Sequence, residues 1–150
     1  MGKSKLRLSS MILAGIGLID ALYLTGVKLS NTYALCGPIG NCETVNTSQY
    51  SQVFGIPIAL IGAAAYFLIL ILLLIENRND YWTDFSPMLV FGISLAGVLY
   101  SAYLTFLEIA VIKAICPYCI LSFILIILIF ILTLVRLIQG QSELNTILQK

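Results

Sequence analysis

Residues 116–138 read CPYCILSFILIILIFILTLVRLI, a close cysteine pair followed by an almost unbroken apolar run. The run is as long as the roughly 20 residues that a helix needs to cross the hydrocarbon core of a bilayer. Because lipid offers no hydrogen-bond partner to free backbone groups, such a run predicts a transmembrane helix. Pro117 is well placed to open that helix, since its first turn leaves an N–H unused.

Three more apolar stretches precede this one. The chain of 150 residues is 60% hydrophobic and only 10% charged, with a mean hydropathy of +1.02, far above a soluble domain of this length. Too few residues remain for a second domain. We therefore predict an all-α integral membrane fold, a single four-helix bundle over residues 1–150 with helices at about residues 11–29, 55–75, 87–112 and 117–138.

The basic residues predict the orientation of this bundle. Only Lys28 and Lys113 border the face that carries the cysteines, whereas the other basic residues border the opposite face: Lys3, Lys5, Arg7, Arg78, Arg136 and Lys150. The positive-inside rule then places both termini in the cytoplasm. The net charge of +1 gives no reason to expect a nucleic-acid partner.

The first apolar run follows a basic N-terminus, as the apolar region of a secretory signal peptide does. Asp20 interrupts it, and no small-residue cleavage site ends it. An uncleaved first span is therefore expected.

All four cysteines lie on the predicted outer side, in two close pairs. Cys36 and Cys42 lie in a loop whose two glycines and proline predict turns. Cys116 falls at the N-cap of the last helix and Cys119 one turn later on the same face, where the helix dipole favours a thiolate. The outer compartment is the periplasm or cell exterior, or the ER lumen in a eukaryote, and disulfides persist there.

Redox chemistry is not the only use of four clustered thiols. They could form two structural disulfides in a non-enzymatic tetraspan scaffold, or bind zinc as four thiolates. The helix-start position of the second pair, the second external pair and the absence of histidine favour redox chemistry. Zinc is disfavoured because the first pair is separated by five residues, more than the usual two to four. We expect no metal site.

Taken together, these motifs resemble the vitamin K epoxide reductase family of integral-membrane thiol oxidoreductases, in its bacterial or archaeal form. The order of the pairs, with the loop pair first, distinguishes the chain from DsbB-type quinone oxidoreductases. The likeness covers nearly the whole chain and rests on Asp20 with Tyr23-Leu24-Thr25, the pair Cys36 and Cys42, Ser48, Phe54-Gly55 and Cys116-Pro117-Tyr118-Cys119.

The resemblance implies a bundle around a quinone of the ubiquinone, menaquinone or vitamin K type. Cys119 would lie nearest the quinone, and Cys116 would be its disulfide partner and the point of attack. Cys42 would be the attacking shuttle thiol and Cys36 the thiol that faces the protein substrate. That substrate would be a separate thioredoxin-fold, DsbA-like protein, because this chain ends at Lys150 without such a domain.

Five residues are candidates for the quinone pocket. Ser48 would lie on the segment that covers it, and Asp20 is either functional or a buried neutral acid, because an acid is costly in hydrocarbon. Tyr50, Phe54 and Tyr118 could stack on the ring or belong to an interfacial aromatic belt.

Two further charged residues lie near the outer end of the third span. Glu108 and Lys113 are expected to reach toward the membrane surface.

The predicted function is disulfide formation outside the membrane coupled to quinone reduction within it. One alternative is the same relay working in the reducing sense on vitamin K epoxide or quinone. The other is the non-enzymatic scaffold.

Overall fold

Four long helices dominate the computed structural model, which describes residues 2–36, 40–78 and 80–149. Each of the four is long and apolar enough to cross a membrane, which confirms the predicted all-α membrane fold. In chain order the elements are α1 (Lys3–Leu29), α2 (Cys42–Thr47), a 3₁₀ turn (Gln49–Ser51), β1 (Gln52–Val53), β2 (Ile56–Pro57), α3 (Ile58–Ile75), α4 (Asp80–Leu107), a π-helical segment (Glu108–Ile112) and α5 (Pro117–Leu148).

Three of the four long helices extend beyond the apolar runs that predict them, whereas α3 begins at Ile58, three residues after the start of its run at residue 55. The third long helix, α4, begins at Asp80 and includes Pro87, the residue at which its apolar run starts. The last helix continues to Leu148, ten residues past the end of its run at residue 138. Apolar length marks the part of a helix that lipid surrounds, whereas polar turns at the helix ends give no such signal.

Close packing around Tyr66 joins three of the helices. α1 packs against α3 and α5, and α4 packs against α5 and α3. A Cβ at Gly17 would lie 2.5 Å from the Tyr66 ring, so only glycine lets this ring lie against α1. The Tyr66 hydroxyl donates to the carbonyl oxygen of Ser122 on α5 at 2.9 Å. The surrounding buried core consists of Ala14, Ala21, Ala63, Tyr66, Ile69, Leu72, Leu73, Val90, Ile126 and Ile129.

A buried ion pair lies at the end of the bundle that holds the chain termini. Arg136 of α5 pairs with Glu76, which follows α3, and both side chains are buried. Arg136 is therefore not the charge at the cytoplasmic surface that its position at the end of the last apolar run predicts. The Lys3 side chain and Lys150 lie outside the described part. The cytoplasmic position of both termini therefore remains a prediction, which rests on the other basic residues.

The segment from Cys42 to Pro57, here called the lid segment, lies across the opposite end of the bundle. Lys28, near the end of α1, donates from Nζ to the Asn46 carbonyl and to Ser51 Oγ, the second at 2.7 Å. β1 and β2 pair antiparallel through a turn at Phe54 and Gly55, both with positive φ. The lid segment is thus attached to α1 at one side and continues directly into α3.

Candidate active site

The two cysteine pairs meet where the lid segment lies against the start of α5. Cys36 and Cys42 form a disulfide with a Cα–Cα distance of 6.0 Å, while Cys116 and Cys119 are free thiols. Cys116 Sγ lies 3.4 Å from Cys42 Sγ, and these two residues are only 2% and 1% exposed. The four sulfurs therefore form a continuous series from the partly exposed Cys36 to Cys119.

The start of α5 has the geometry predicted from the sequence. Cys116 is the N-cap and Pro117 the first helical residue. Hydrogen bonding from the Cys119 thiol lowers the pKa of Cys116 below the ordinary thiol value, and this outweighs the opposing effect of burial. Cys116 is therefore the sulfur of the pair at which negative charge is favoured.

Two tyrosines hold the loop immediately before Cys36. The backbone N–H of Leu35 donates to Tyr23 Oη at 3.1 Å, and Tyr118 Oη donates to the carbonyl of Leu35 at 3.0 Å. The two rings pack with their centroids 5.3 Å apart. One side of the loop is thereby attached to α1 and to the Cys-x-x-Cys turn itself.

The other side of the loop lies directly on Pro117. A Cβ at Gly40 would lie 2.7 Å from Pro117 Cδ, so a larger residue would separate the loop from α5. Next to it, the Asn41 N–H donates to the carbonyl of Ile115 at 3.1 Å. The predicted turns at residues 37 and 38 lie outside the described residues.

Glu108 is a site residue that the sequence analysis does not identify. Its side chain is 3% exposed, and its Oε2 accepts a hydrogen bond from the Cys116 N–H at 3.3 Å. The carboxylate also interacts with the Cys119 thiol. The expectation that Glu108 reaches the membrane surface is therefore wrong, whereas Lys113 is exposed.

The π-helical segment explains this placement. It begins at Glu108 and ends before Lys113, which has a left-handed φ of 55°, and the Glu108 carbonyl accepts the Ala114 N–H at 3.1 Å. A π turn changes which side chains face the bundle, and such turns often occur at functional sites. One property of the sequence could have identified Glu108. An acidic residue in an apolar span is costly in hydrocarbon, and such a residue is by default a candidate for a functional role.

A cavity of about 620 Å³ lies beneath the lid segment, between the long helices. This volume is in the usual range for small-molecule sites, roughly 300–1,000 Å³. Most of its lining is apolar. The sulfur-bearing and polar residues that line it include Cys42, Cys116, Cys119, Glu108, Tyr66 and Ser122.

Three of the five predicted pocket residues line this cavity: Asp20, Ser48 and Tyr50. Asp20 is buried, and within the described part of the chain its Oδ2 has no hydrogen-bond partner. An unpaired polar atom in an apolar cavity is costly, so this oxygen is a natural contact for a polar ligand group.

Phe54 and Tyr118, the other two candidates, are not among the residues that line this cavity. Phe54 is fully exposed at the hairpin turn, where its φ is positive. Tyr118 precedes Cys119 by one position, and consecutive helical residues point about 100° apart. Its side chain therefore meets Leu35 instead of the cavity.

Comparison with known proteins agrees with this geometry. The profile of the Vitamin K epoxide reductase family matches residues 8–134, which include both cysteine pairs and the residues that line the cavity. Thiol-disulfide oxidoreductase LTO1 of Arabidopsis thaliana is 33% identical over 112 residues, which make up 70% of this chain and 30% of that protein. Since the match covers most of the chain, the four-helix protein belongs to the vitamin K epoxide reductase family.

Proposed function

We propose that this protein is a thiol–disulfide oxidoreductase that oxidises a separate thioredoxin-fold protein and passes the electrons to a membrane quinone. The observation that carries the proposal is the 3.4 Å approach of Cys116 Sγ to Cys42 Sγ. Thiol–disulfide exchange begins with attack of a thiolate on a disulfide sulfur, so these two sulfurs are already placed to react. LTO1, the similar plant protein, carries the name of this enzyme class.

The oxidation states of the two cysteine pairs correspond to one step of the proposed electron transfer. A closed Cys36–Cys42 disulfide beside two free thiols is the state that follows electron transfer from the loop pair to the second pair. In that transfer the Cys42 thiolate attacks Cys116 of a Cys116–Cys119 disulfide and releases Cys119. Cys36 then attacks Cys42, which closes the loop disulfide and releases Cys116. Two electrons move without any external redox group.

Exposure supports the roles within the loop pair. Cys42 is buried against Cys116, whereas Cys36 is partly exposed and is preceded by the exposed side chains of Tyr33 and Leu35. A protein thiol from outside can reach Cys36 more easily than Cys42. Cys36 is therefore the proposed site of the mixed disulfide with the thioredoxin-fold, DsbA-like partner.

The cavity suits a quinone. It is large enough for a quinone ring with part of its tail, its lining is mostly apolar, and Cys119 faces it. Asp20 and Ser48 would hold the polar ring substituents, and the unpartnered Oδ2 of Asp20 is the observation that fits such a group. When bound, a quinone supplies a lipid-soluble two-electron acceptor. Ubiquinone, menaquinone and vitamin K rings all satisfy these requirements.

The lid segment would restrict access of water to this cavity. α1 ends and α5 begins at the lid, so both chain termini lie at the other end of the bundle. With the termini in the cytoplasm, both cysteine pairs face the periplasm or cell exterior, or the ER lumen in a eukaryote. Disulfides made there persist.

The alternatives fit the geometry less well. A scaffold with two structural disulfides needs a bond between Cys116 and Cys119, which are free thiols here. A zinc site needs thiolates at Cys36 and Cys42, which are bonded to each other. A reductase of vitamin K epoxide would use the same relay and differs only in the acceptor.

The proposed function is tested with purified protein in detergent, a reduced DsbA-like protein and a soluble ubiquinone or menaquinone analogue. We expect quinone reduction that depends on the thiol partner and disappears in Cys119→Ser. Undiminished turnover in that variant would contradict the proposal. A parallel assay with vitamin K epoxide separates the oxidising from the reducing role, since faster reduction of the epoxide would favour the latter.

A further inference from the structure

A buried carboxylate contacts the backbone of Cys116 and the thiol of Cys119, yet the relay described above does not use it. Glu108 accepts the Cys116 N–H at 3.3 Å and interacts with the Cys119 thiol, and it lines the cavity. Within the described residues, no lysine or arginine forms an ion pair with it; the buried ion pair there is between Arg136 and Glu76. Glu108 therefore depends on hydrogen-bond donors, not on a cation.

The number of those donors depends on the redox state of the cysteines. In the dithiol state the carboxylate receives the Cys116 N–H and interacts with the Cys119 S–H. Formation of a Cys116–Cys119 disulfide removes the S–H. A buried ionised carboxylate that loses a donor and has no cation is strongly disfavoured, and uptake of a proton removes its charge.

We propose that Glu108 is a catalytic residue that takes the proton of the Cys119 thiol when the pair is oxidised and returns it to Cys119 when the pair is reduced. The inference rests on the proposed function for the identity of the electron acceptor. The redox-dependent proton position itself does not require a quinone, because any two-electron oxidant of the pair removes the same S–H bond.

The atoms and electrons balance as follows. On oxidation one S–S bond forms and two S–H bonds break, and two electrons leave to the acceptor. The Cys119 proton moves to Glu108, the Cys116 proton goes to the acceptor, and water supplies the acceptor's second proton. On reduction the loop pair releases two thiol protons: one reaches Cys116 and one returns to water. Glu108 protonates the departing Cys119 sulfur, as a general acid does for a leaving group.

The test is an infrared difference spectrum between the disulfide and dithiol forms of the purified, quinone-free protein, poised with oxidised and reduced dithiothreitol. We expect a carboxylic acid carbonyl band in the disulfide form that is absent from the dithiol form. Glu108→Gln should remove the band, because the amide keeps the shape and cannot take up the proton. Asp20→Asn is the matched control, a carboxyl of the same cavity, and should keep the band.

Glutamate labelled with a heavy carbon isotope at its carboxyl group gives a second assignment that needs no variant, because the band must then shift. A missing band in the wild type, or a band that survives Glu108→Gln, overturns the proposal. A second measurement follows quinone reduction by the pre-reduced protein, where Glu108→Gln should be slower by about 100-fold, the low end of general acid–base contributions.

The infrared spectrum and the quinone assay together distinguish failure of this inference from failure of the proposed function. A wild type that shows the band but cannot reduce any quinone analogue refutes the quinone acceptor and supports the proton exchange. A wild type that reduces quinone without the band refutes the proton exchange alone.

Discussion

At the scale of single residues, four identical side chains differ in burial and in their neighbours. Cys42 and Cys116 are buried against each other, Cys36 is partly exposed, and Cys119 lines the cavity beside Glu108. The sequence is enough to identify the cysteines and the helix-start position of Cys116, because proline and helix geometry act locally. It does not identify Glu108, because a π turn several residues away from the cysteines determines where that side chain points.

The lowered pKa of Cys116 leads to a prediction about its reactivity. A folded-state pKa below the ordinary thiol value, about 8.5, means that the thiolate persists to lower pH. The rate of alkylation of Cys116 in the reduced protein should therefore rise with pH, and the midpoint of this rise should lie at a lower pH than for an ordinary thiol. Cys119→Ala removes the largest cause of the shift, so the midpoint should move upward and the rate at neutral pH should fall.

Fragment mass spectrometry, which distinguishes modification at Cys116 from that at Cys119, provides the measurement. Coincident pH profiles for the wild type and Cys119→Ala would show that the hydrogen bond from Cys119 does not determine the thiolate fraction of Cys116.

At the scale of elements, contacts of the loop with the start of α5 position the disulfide. Leu35 is held by Tyr23 and Tyr118, and Gly40 lies against Pro117. The contacts with Tyr118 and Pro117 join segments far apart in the chain, as in the Tyr118–Leu35 bond at a separation of 83 residues. No local pattern indicates them. Tyr118 therefore contacts the loop and is not among the residues that line the cavity, which its position in the sequence does not indicate.

Gly40 provides a sharp test of this docking. Gly40→Ala places a methyl group 2.7 Å from Pro117 Cδ and should push the loop away from α5. Overpacking of this kind costs roughly 1–3 kcal/mol, so exchange between the loop disulfide and the Cys116 thiol should slow by about tenfold. Stopped-flow mixing of the pre-reduced protein with excess oxidised thioredoxin-fold protein follows this exchange as the slower transfer of the second pair of electrons, after the loop disulfide has formed.

The matched control is Gly26→Ala on α1, where an added Cβ meets no atom within 4 Å. Equal exchange rates in the two variants would show that contact between Gly40 and Pro117 does not align the sulfurs.

At the scale of the whole molecule, the two ends of the bundle contain different groups of polar and reactive residues. One end carries the cysteines and the lid segment, with the cavity beneath it, and the other holds the buried Arg136–Glu76 pair. Apolar length and composition were sufficient to predict four membrane-spanning helices, since those properties follow from the solvent. The ion pair escaped prediction because Arg136 lies at the end of an apolar run and resembles an interfacial charge.

This pair leads to a prediction about stability. Glu76→Gln leaves the Arg136 charge buried without its partner, which typically costs about 3–5 kcal/mol. The thermal unfolding midpoint in detergent should fall clearly. The double variant Glu76→Gln with Arg136→Met should recover most of the loss, because it removes the unpaired charge. A single variant as stable as the wild type would show that the pair contributes little.

Orientation is the other whole-molecule prediction. If both termini are cytoplasmic, a membrane-impermeant maleimide added to intact cells after mild reduction should label the partly exposed Cys36. Cys36→Ser is the control that identifies the labelled residue. Labelling that appears only after the cells are permeabilised would reverse the orientation.

The central claim is that electrons pass between the two pairs through Cys42 and Cys116, and a trapped disulfide tests it most directly. The double variant Cys36→Ser with Cys119→Ser leaves only these two cysteines, whose sulfurs lie 3.4 Å apart in the native protein. Mild oxidation followed by peptide mapping should show a Cys42–Cys116 disulfide in high yield. The matched variant Cys36→Ser with Cys116→Ser should form little Cys42–Cys119 disulfide. Two free thiols in the first variant, or equal yields in both, would contradict the account.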